Sequence, residues 1–319
     1  MKDIYRAMKF EHPDTIPVSL WCLPATWAKY RSDLSDIALR HPLLFPGHDK
    51  DSVNYDAKPE SYKAGTFTDA WGCVWSNMYD GMESIVTGHP YPTRESVRNI
   101  KAPEIDIGTP HGFMFLRLFD LRGFEDLMID FAEEPEELQM MIDTVLNYNL
   151  RQTEIMLKKN KSKLVSFGDD NGMQHSLPIS PAMWRKYIKP CYMKIFMLCR
   201  NDDRYVYMHT DGCIYEVIPD FIECGVNIIN PQFRANGLDN LIKTCKDKVC
   251  VDLDLDRQLF PFCSPADIDD HVREVVDKLG SPKGGLMLKA EAGPDVSLEN
   301  IEAVCNTLEK YRLYYSNFR

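Results

Sequence analysis

From about residue 100 onward, short apolar runs alternate with longer amphipathic stretches, and this rhythm constrains the fold more than any other feature of the sequence. The runs at 164–167, 205–208, 226–229, 249–253 and 285–289 read as strands. Helix signals lie between them. Glu133-Glu134-Pro135-Glu136 places acids and a proline at a helix start, and the apolar period then runs through Met141, Val145 and Leu150 toward Lys158. Ser180-Pro181 and Ser264-Pro265 are each an N-cap followed by a proline at the first helical position. Residues 214–224 read as a helix closed by Gly225, 238–243 as another, and Ser297-Leu298-Glu299-Asn300 opens the last. Such alternation requires parallel strands joined by right-handed crossovers, hence a closed barrel or a doubly wound sheet. No GxGxxG follows any strand, which disfavours the dinucleotide-binding sheet. The expectation is a (β/α)8 TIM barrel in one domain over 1–319, a normal length for that fold.

The first 100 residues are less regular. Arg6-Ala7-Met8 suggests a short helix, Glu11-His12-Pro13-Asp14-Thr15 a turn, and 16–21 a first strand. A long segment rich in proline, glycine and aromatics follows at about 42–92. Long loops inside compact domains are commonly functional. This one is expected to fold over the barrel mouth and to bring Trp71 or Trp75 near the pocket.

Composition narrows the function classes. The formal net charge of −11 opposes binding to nucleic acid or anionic lipid. The ten cysteines contain no CxxC pair, the chain starts without an apolar signal stretch, and no window reaches the length of a membrane span. The expectation is a cytoplasmic protein with free thiols, without nucleic-acid or membrane partners.

Polar residues gather where the predicted strands end: Asp169 and Asp170, His209 and Asp211, Asn230 and Gln232, Asp252, Asp254 and Asp256, then Lys289 and Glu291. In a parallel barrel these ends converge on the face that carries active sites. Aspartate and asparagine at strand ends also serve as turn and cap residues. His209-Thr210-Asp211-Gly212 is the most informative tetrapeptide. Two residues apart in extended chain, His209 and Asp211 point the same way. They form half of a zinc site or an acid/base pair. If Asp169 and Asp170 are buried close together, one of their pKa values rises.

Several segments resemble the uroporphyrinogen decarboxylase superfamily in order and spacing. They are Arg6-Ala7-Met8 through Asp14-Thr15-Ile16-Pro17-Val18, Asp69-Ala70-Trp71-Gly72 to Gly88-His89-Pro90, and Leu121-Arg122-Gly123-Phe124-Glu125. Gly168-Asp169-Asp170-Asn171-Gly172-Met173-Gln174 is similar to the family's DDxGxQ loop, and Ile179-Ser180-Pro181 through Lys189-Pro190 to its next helix. His209-Thr210-Asp211-Gly212 is similar to the H-x-C/D-G turn, Gly225-Val226-Asn227-Ile228-Ile229-Asn230-Pro231-Gln232 to the next strand, and Leu298-Glu299-Asn300-Ile301 to a C-terminal signature.

Within that superfamily the resemblance points away from porphyrinogen decarboxylation. The family's arginine-bearing N-terminal segment is replaced by Trp21-Cys22-Leu23-Pro24-Ala25-Thr26, which has no cation to offset substrate carboxylates. The other large branch holds zinc methyltransferases that work with corrinoid proteins. Their thiol-directed members carry HxC and a later cysteine, whereas here Asp211 follows His209 and Lys289-Ala290-Glu291-Ala292-Gly293 lacks a thiol. The resemblance implies a metal set of His209, Asp211 and Glu291, with zinc as cofactor and a corrinoid on a partner protein. An oxygen-rich set is the stronger Lewis acid. The implied function is methyl transfer from a small methylated substrate, an aromatic methyl ether in an O-demethylase reaction, to that corrinoid protein. His209, Asp211 and Asp169 are the expected catalytic residues. Gln174, Asp170, Asn230, Gln232, Trp71 and Trp75 are expected at the substrate. The alternative is a decarboxylase of another carboxylated substrate; a binding module without catalysis is a third reading.

Overall fold

The computed structural model describes residues 2–106 and 112–316. Nine strands occur among them: β1 (Val18–Cys22), β2 (Gly65–Thr68), β3 (Val74–Asn77), β4 (Ile85–Gly88), β5 (Leu164–Gly168), β6 (Tyr205–Thr210), β7 (Ile228–Pro231), β8 (Cys250–Asp254) and β9 (Leu286–Ala292). The chain divides into two compact units that interleave along the sequence. One comprises Met1–Gly65, Asn77–Ser84 and Gln232–Arg319, the other Thr66–Ser76 and Ile85–Pro231.

In the first unit β9 pairs in parallel with both β1 and β8. Alternate residues face opposite ways along a strand. Leu20, Cys22, Leu253, Leu288, Ala290 and Ala292 form a fully buried face. The opposite face carries Trp21, in register with Glu291, and Asp254, in register with Lys289. Helix Leu298–Tyr311 packs on β1 and β9 and against helix Pro265–Leu279. Ser264 and Ser297 cap these two helices as expected, each accepting a backbone N–H from three residues ahead.

In the second unit β6 lies between β5 and β7, again in parallel. Val165, Phe167, Val206, Met208 and Ile229 are buried. The helices Glu136–Lys159 and Lys189–Asn201 pack against each other, the latter also against β6. The former buries Leu138, Met141, Ile142, Val145, Leu146 and Met156, the three-and-four spacing that its sequence announced.

Some boundaries differ from the sequence reading. The first strand begins at Val18. β6 runs on through His209 to Thr210, and β9 reaches Ala292, so Glu291 lies within a strand. Residues 214–224 split into a tight turn, Tyr215–Val217, and a helix, Ile218–Cys224. The sequence reading missed the helix Pro24–Arg40. Its buried stripe includes Thr26 and Ser35, which blunt the apolar period, and its N-cap, Leu23, makes no side-chain capping bond. Segment 42–92 is not all irregular, because β2, β3 and β4 form a small sheet in it. All ten cysteines are free and all but Cys263 are buried. Among the described residues no helix is long and apolar enough to cross a membrane.

Candidate functional site

The second unit assembles its polar cluster where β5 and β6 end. Their pairing continues past the strands as a zipper between two loops. Asp169 N–H donates to the His209 carbonyl at 3.0 Å, Gly172 N–H to the Asp211 carbonyl at 3.1 Å, and Cys213 N–H to the Met173 carbonyl at 2.7 Å. The backbones touch at two glycines. Gly212 has φ +82°, and a Cβ there would lie less than 3.0 Å from the Gly172 carbonyl oxygen; a Cβ on Gly172 would meet Cys213 N as closely. Gly212→Ala therefore combines an unfavourable left-handed backbone with a clash against main chain that has no room to move. It is expected to cost more than about 3 kcal/mol and to displace the 169–173 loop. A denaturation midpoint equal to that of the parent protein would refute this.

This zipper brings Asp170, His209 and Asp211 together, one donor atom from each within 4.8 Å of the others. In the parallel register His209 stands between Gly168 and Asn230. Its Nδ1 lies 2.8 Å from Asn230 Oδ1. An amide oxygen only accepts, so Nδ1 carries the proton and the ring's orientation is set. Nε2 then faces Asp211 Oδ1 at 3.2 Å. The same-face geometry inferred for His209 and Asp211 is present. Asp211 N–H in turn donates to Asp170 Oδ1 at 3.2 Å.

With its proton on Nδ1, a neutral imidazole turns a lone pair on Nε2 toward a carboxylate. That approach is favourable only with a proton on Nε2 or a cation between the two groups. The donor set fits a divalent cation. Tetrahedral zinc holds nitrogen and oxygen ligands about 2.0–2.2 Å away, which puts neighbouring donor atoms about 3.3 Å apart. One imidazole and two carboxylates make a hard, oxygen-rich set. Cys213, the nearest thiol in sequence, is buried, and burial together with Glu216 raises its pKa. It favours the neutral thiol, which is a poor metal ligand.

The other candidates have the following surroundings within their own units. Asp169 is 0% exposed. Its carboxylate accepts from the N–H groups of Met114, Phe115 and Leu116 at 3.2, 2.6 and 2.9 Å, and from the Tyr192 hydroxyl at 2.6 Å. Burial pushes its pKa up to about 6, against the pull of these donors. Its carboxylate is thus held in an anchoring network at the start of helix Phe115–Arg122. Asn230 serves the histidine ring. Gln174 is exposed on the 169–177 loop.

Trp71 and Trp75 pack within their own unit. Trp71 meets Tyr148 edge-on at 4.9 Å, and Trp75 stacks on Phe67 while its indole N–H donates to Asp69. Asp69 also accepts from the N–H groups of Trp71 and Cys73 and pairs with Arg117 at 2.8 Å, which explains the aspartate of that motif structurally. In the other unit, Glu291 pairs with Arg257 at 2.7 Å, and Gln232 bridges in parallel to Asp254. The carboxylate that joins His209 and Asp211 in a metal-compatible group is Asp170. In the sequence it stands only as half of an aspartate pair expected at the substrate. Asn171, Tyr192 and Trp184, which support this loop, carried no signal in the sequence beyond apolar or turn chemistry. Trp21, by contrast, is 54% exposed beside Glu291.

The profile of the family described as Uroporphyrinogen decarboxylase (URO-D) matches residues 118–311. Among curated proteins, nothing matches. A methyltransferase from Methanosarcina mazei has a similar structure, with TM-score 0.62 and 16% sequence identity over 96% of this chain and 97% of that one. A B12-independent methionine synthase from Shewanella sp. W3-18-1 (TM-score 0.41, 11% identity, 65% and 60% coverage) is too distant to bear on the argument. So is a dihydropteroate synthase from Xanthomonas albilineans (TM-score 0.34, 14% identity, 50% and 58% coverage). The fold class is the TIM barrel, one of the two architectures that the strand–helix alternation allows.

Proposed function

Since this chain belongs to the uroporphyrinogen decarboxylase family, we propose that it is a methyltransferase, moving a methyl group from a small methylated substrate to a corrinoid protein. The substrate class is an aromatic methyl ether, and the reaction an O-demethylation. The similarity in fold to a methyltransferase supports this reading. The observation that carries it is the orientation of His209, whose ring is fixed by Asn230 and whose Nε2 is turned toward Asp211.

An ether is hard to cleave because an alkoxide is a poor leaving group. Its carbon–oxygen bond breaks with the electron pair going to oxygen, while the methyl passes to the acceptor. Asp170, His209 and Asp211 would hold a divalent cation, zinc in this reading. When bound, such an ion supplies Lewis-acid stabilisation of the charge growing on the ether oxygen. The chain's own contribution is to orient those ligands. Asn230 accepts the Nδ1 proton and so leaves the Nε2 lone pair turned toward Asp211, as a metal ligand requires. Asp170 is aimed by the Asp211 N–H.

The test is metal analysis of purified protein, combined with methyl transfer from an aromatic methyl ether to cob(I)alamin. About one zinc per chain is expected, and Asp211→Asn is expected to weaken zinc binding at least about 10-fold. Full turnover by metal-free protein would remove the metal from this account. Release of carbon dioxide from a carboxylated substrate, with no methyl transfer, would favour a decarboxylase instead.

A further inference from the structure

The loop after β5 carries three consecutive polar residues with different fates. Asp169 and Asn171 are each 0% exposed, whereas Asp170 between them is half-buried and joins His209 and Asp211. Asp169 is held by the three N–H groups at 114–116 and by the Tyr192 hydroxyl. Asn171 is held just as fully. Its side-chain oxygen accepts from the Trp184 indole N–H at 2.8 Å. Its amide nitrogen donates to the Asp169 carbonyl at 2.9 Å and to the Tyr192 hydroxyl oxygen at 2.9 Å, and its backbone N–H donates to Thr210 Oγ1 at 3.1 Å. Tyr192 and Trp184 are themselves 0% exposed, wedged among Phe113, Phe196 and Phe221.

Neighbouring side chains of a near-extended chain leave it in opposite directions. With the residues on both sides of it drawn into the core, Asp170 is left on the other side of the loop, where its Oδ1 accepts the Asp211 N–H. The Tyr192 hydroxyl touches both buried anchors at once. We infer that Tyr192 is a positioning residue, which through Asp169 and Asn171 sets the aim of the Asp170 carboxylate and hence the affinity of the Asp170–His209–Asp211 group for a divalent cation. This inference rests on the metal reading of that group. It assigns part of the affinity to a buried phenol on a core helix, and partners that orient ligands from behind typically change metal affinity 10–100-fold.

The experiment uses the full chain and zinc alone as the probe. The dissociation constant is measured by competition with a chromophoric chelator, and the melting temperature is measured on the same samples. Tyr192→Phe keeps the ring and removes only the hydroxyl; zinc binding is expected to weaken by about 10-fold. Phe196→Leu is the control. Its ring stacks on Tyr192 at 5.6 Å, so it should lower the melting temperature by loss of packing and leave zinc affinity unchanged. Should Tyr192→Phe fail to fold, Trp184→Phe carries the test, because it removes the indole donor to Asn171 and is expected to weaken zinc binding in the same direction. Unchanged zinc affinity in a folded Tyr192→Phe protein, with tight binding by the parent, overturns the positioning role and leaves the metal reading standing. Parallel losses of affinity and melting temperature in Phe196→Leu would also overturn it, by making affinity a readout of general stability. A parent protein that binds no zinc overturns both.

Discussion

Replacing His209 with alanine is expected to strip the metal and to lower methyl transfer by on the order of 1,000-fold or more, while the melting temperature barely moves. Three observations support this. The side chain is the sole nitrogen donor in the metal-compatible group. Its ring is committed by the Asn230 contact to one orientation, so no other atom of the strand can take its place. The residue is only partly buried, 21% exposed at the side chain, near the end of β6, so truncation leaves a small and solvent-reachable gap rather than a core cavity. Loss of a group that stabilises charge only in the transition state lowers kcat by factors of 100–1,000, about 3–4 kcal/mol, and loss of the cation with it adds to that. His209→Gln should keep part of the shape and bind metal far more weakly. Full activity of a metal-free His209→Ala protein would end the metal hypothesis. A collapsed melting temperature would assign the histidine to structure.

The second large effect concerns stability. Asp169→Ala is expected to lower the unfolding free energy by about 4 kcal/mol. The fully buried carboxylate accepts three backbone N–H groups and one hydroxyl. Alanine accepts none, so several donors lose their partner away from water, at about 1–3 kcal/mol each. Relaxation and water entry offset part of the sum, which leaves a net cost of about 4 kcal/mol. The start of helix Phe115–Arg122 should be the first part to loosen, and amide exchange at Phe115 and Leu116 should speed up before the rest of the unit. A shift in the denaturation midpoint equivalent to less than about 1 kcal/mol would show that these donors find other partners. A catalytic Asp169 would behave differently, losing turnover with little loss of stability.

The two substitutions separate residues that look alike in the sequence. Asp169 and Asp170 are adjacent carboxylates in a loop that resembles a family motif, and nothing local distinguishes them. Their roles diverge because the 114–116 backbone and Tyr192 surround one, while His209 and Asp211 lie beside the other. Glu291, a carboxylate near the last strand, is the third ligand that the sequence suggests; within its own unit it pairs with Arg257.

What the chain determined by itself was local and periodic. Apolar runs of strand length, amphipathic runs of helix length, and serine caps followed by proline at 180–181 and 264–265 were enough for the alternating barrel class, because backbone hydrogen bonding and side-chain periodicity act over a few residues. The His209–Asp211 pair was legible for the same reason, since two residues apart on a strand share a face whatever the tertiary context. Tertiary structure alone decided which polar residues meet. Parallel strands become neighbours across dozens of residues of intervening helix, so the Gly168–His209–Asn230 register leaves no trace in any short window. Burial, equally non-local, turned Asp169 into an anchor and packed Trp71 and Trp75 against Tyr148 and Phe67, because a side chain's chemistry is set by the groups that surround it once the chain has closed.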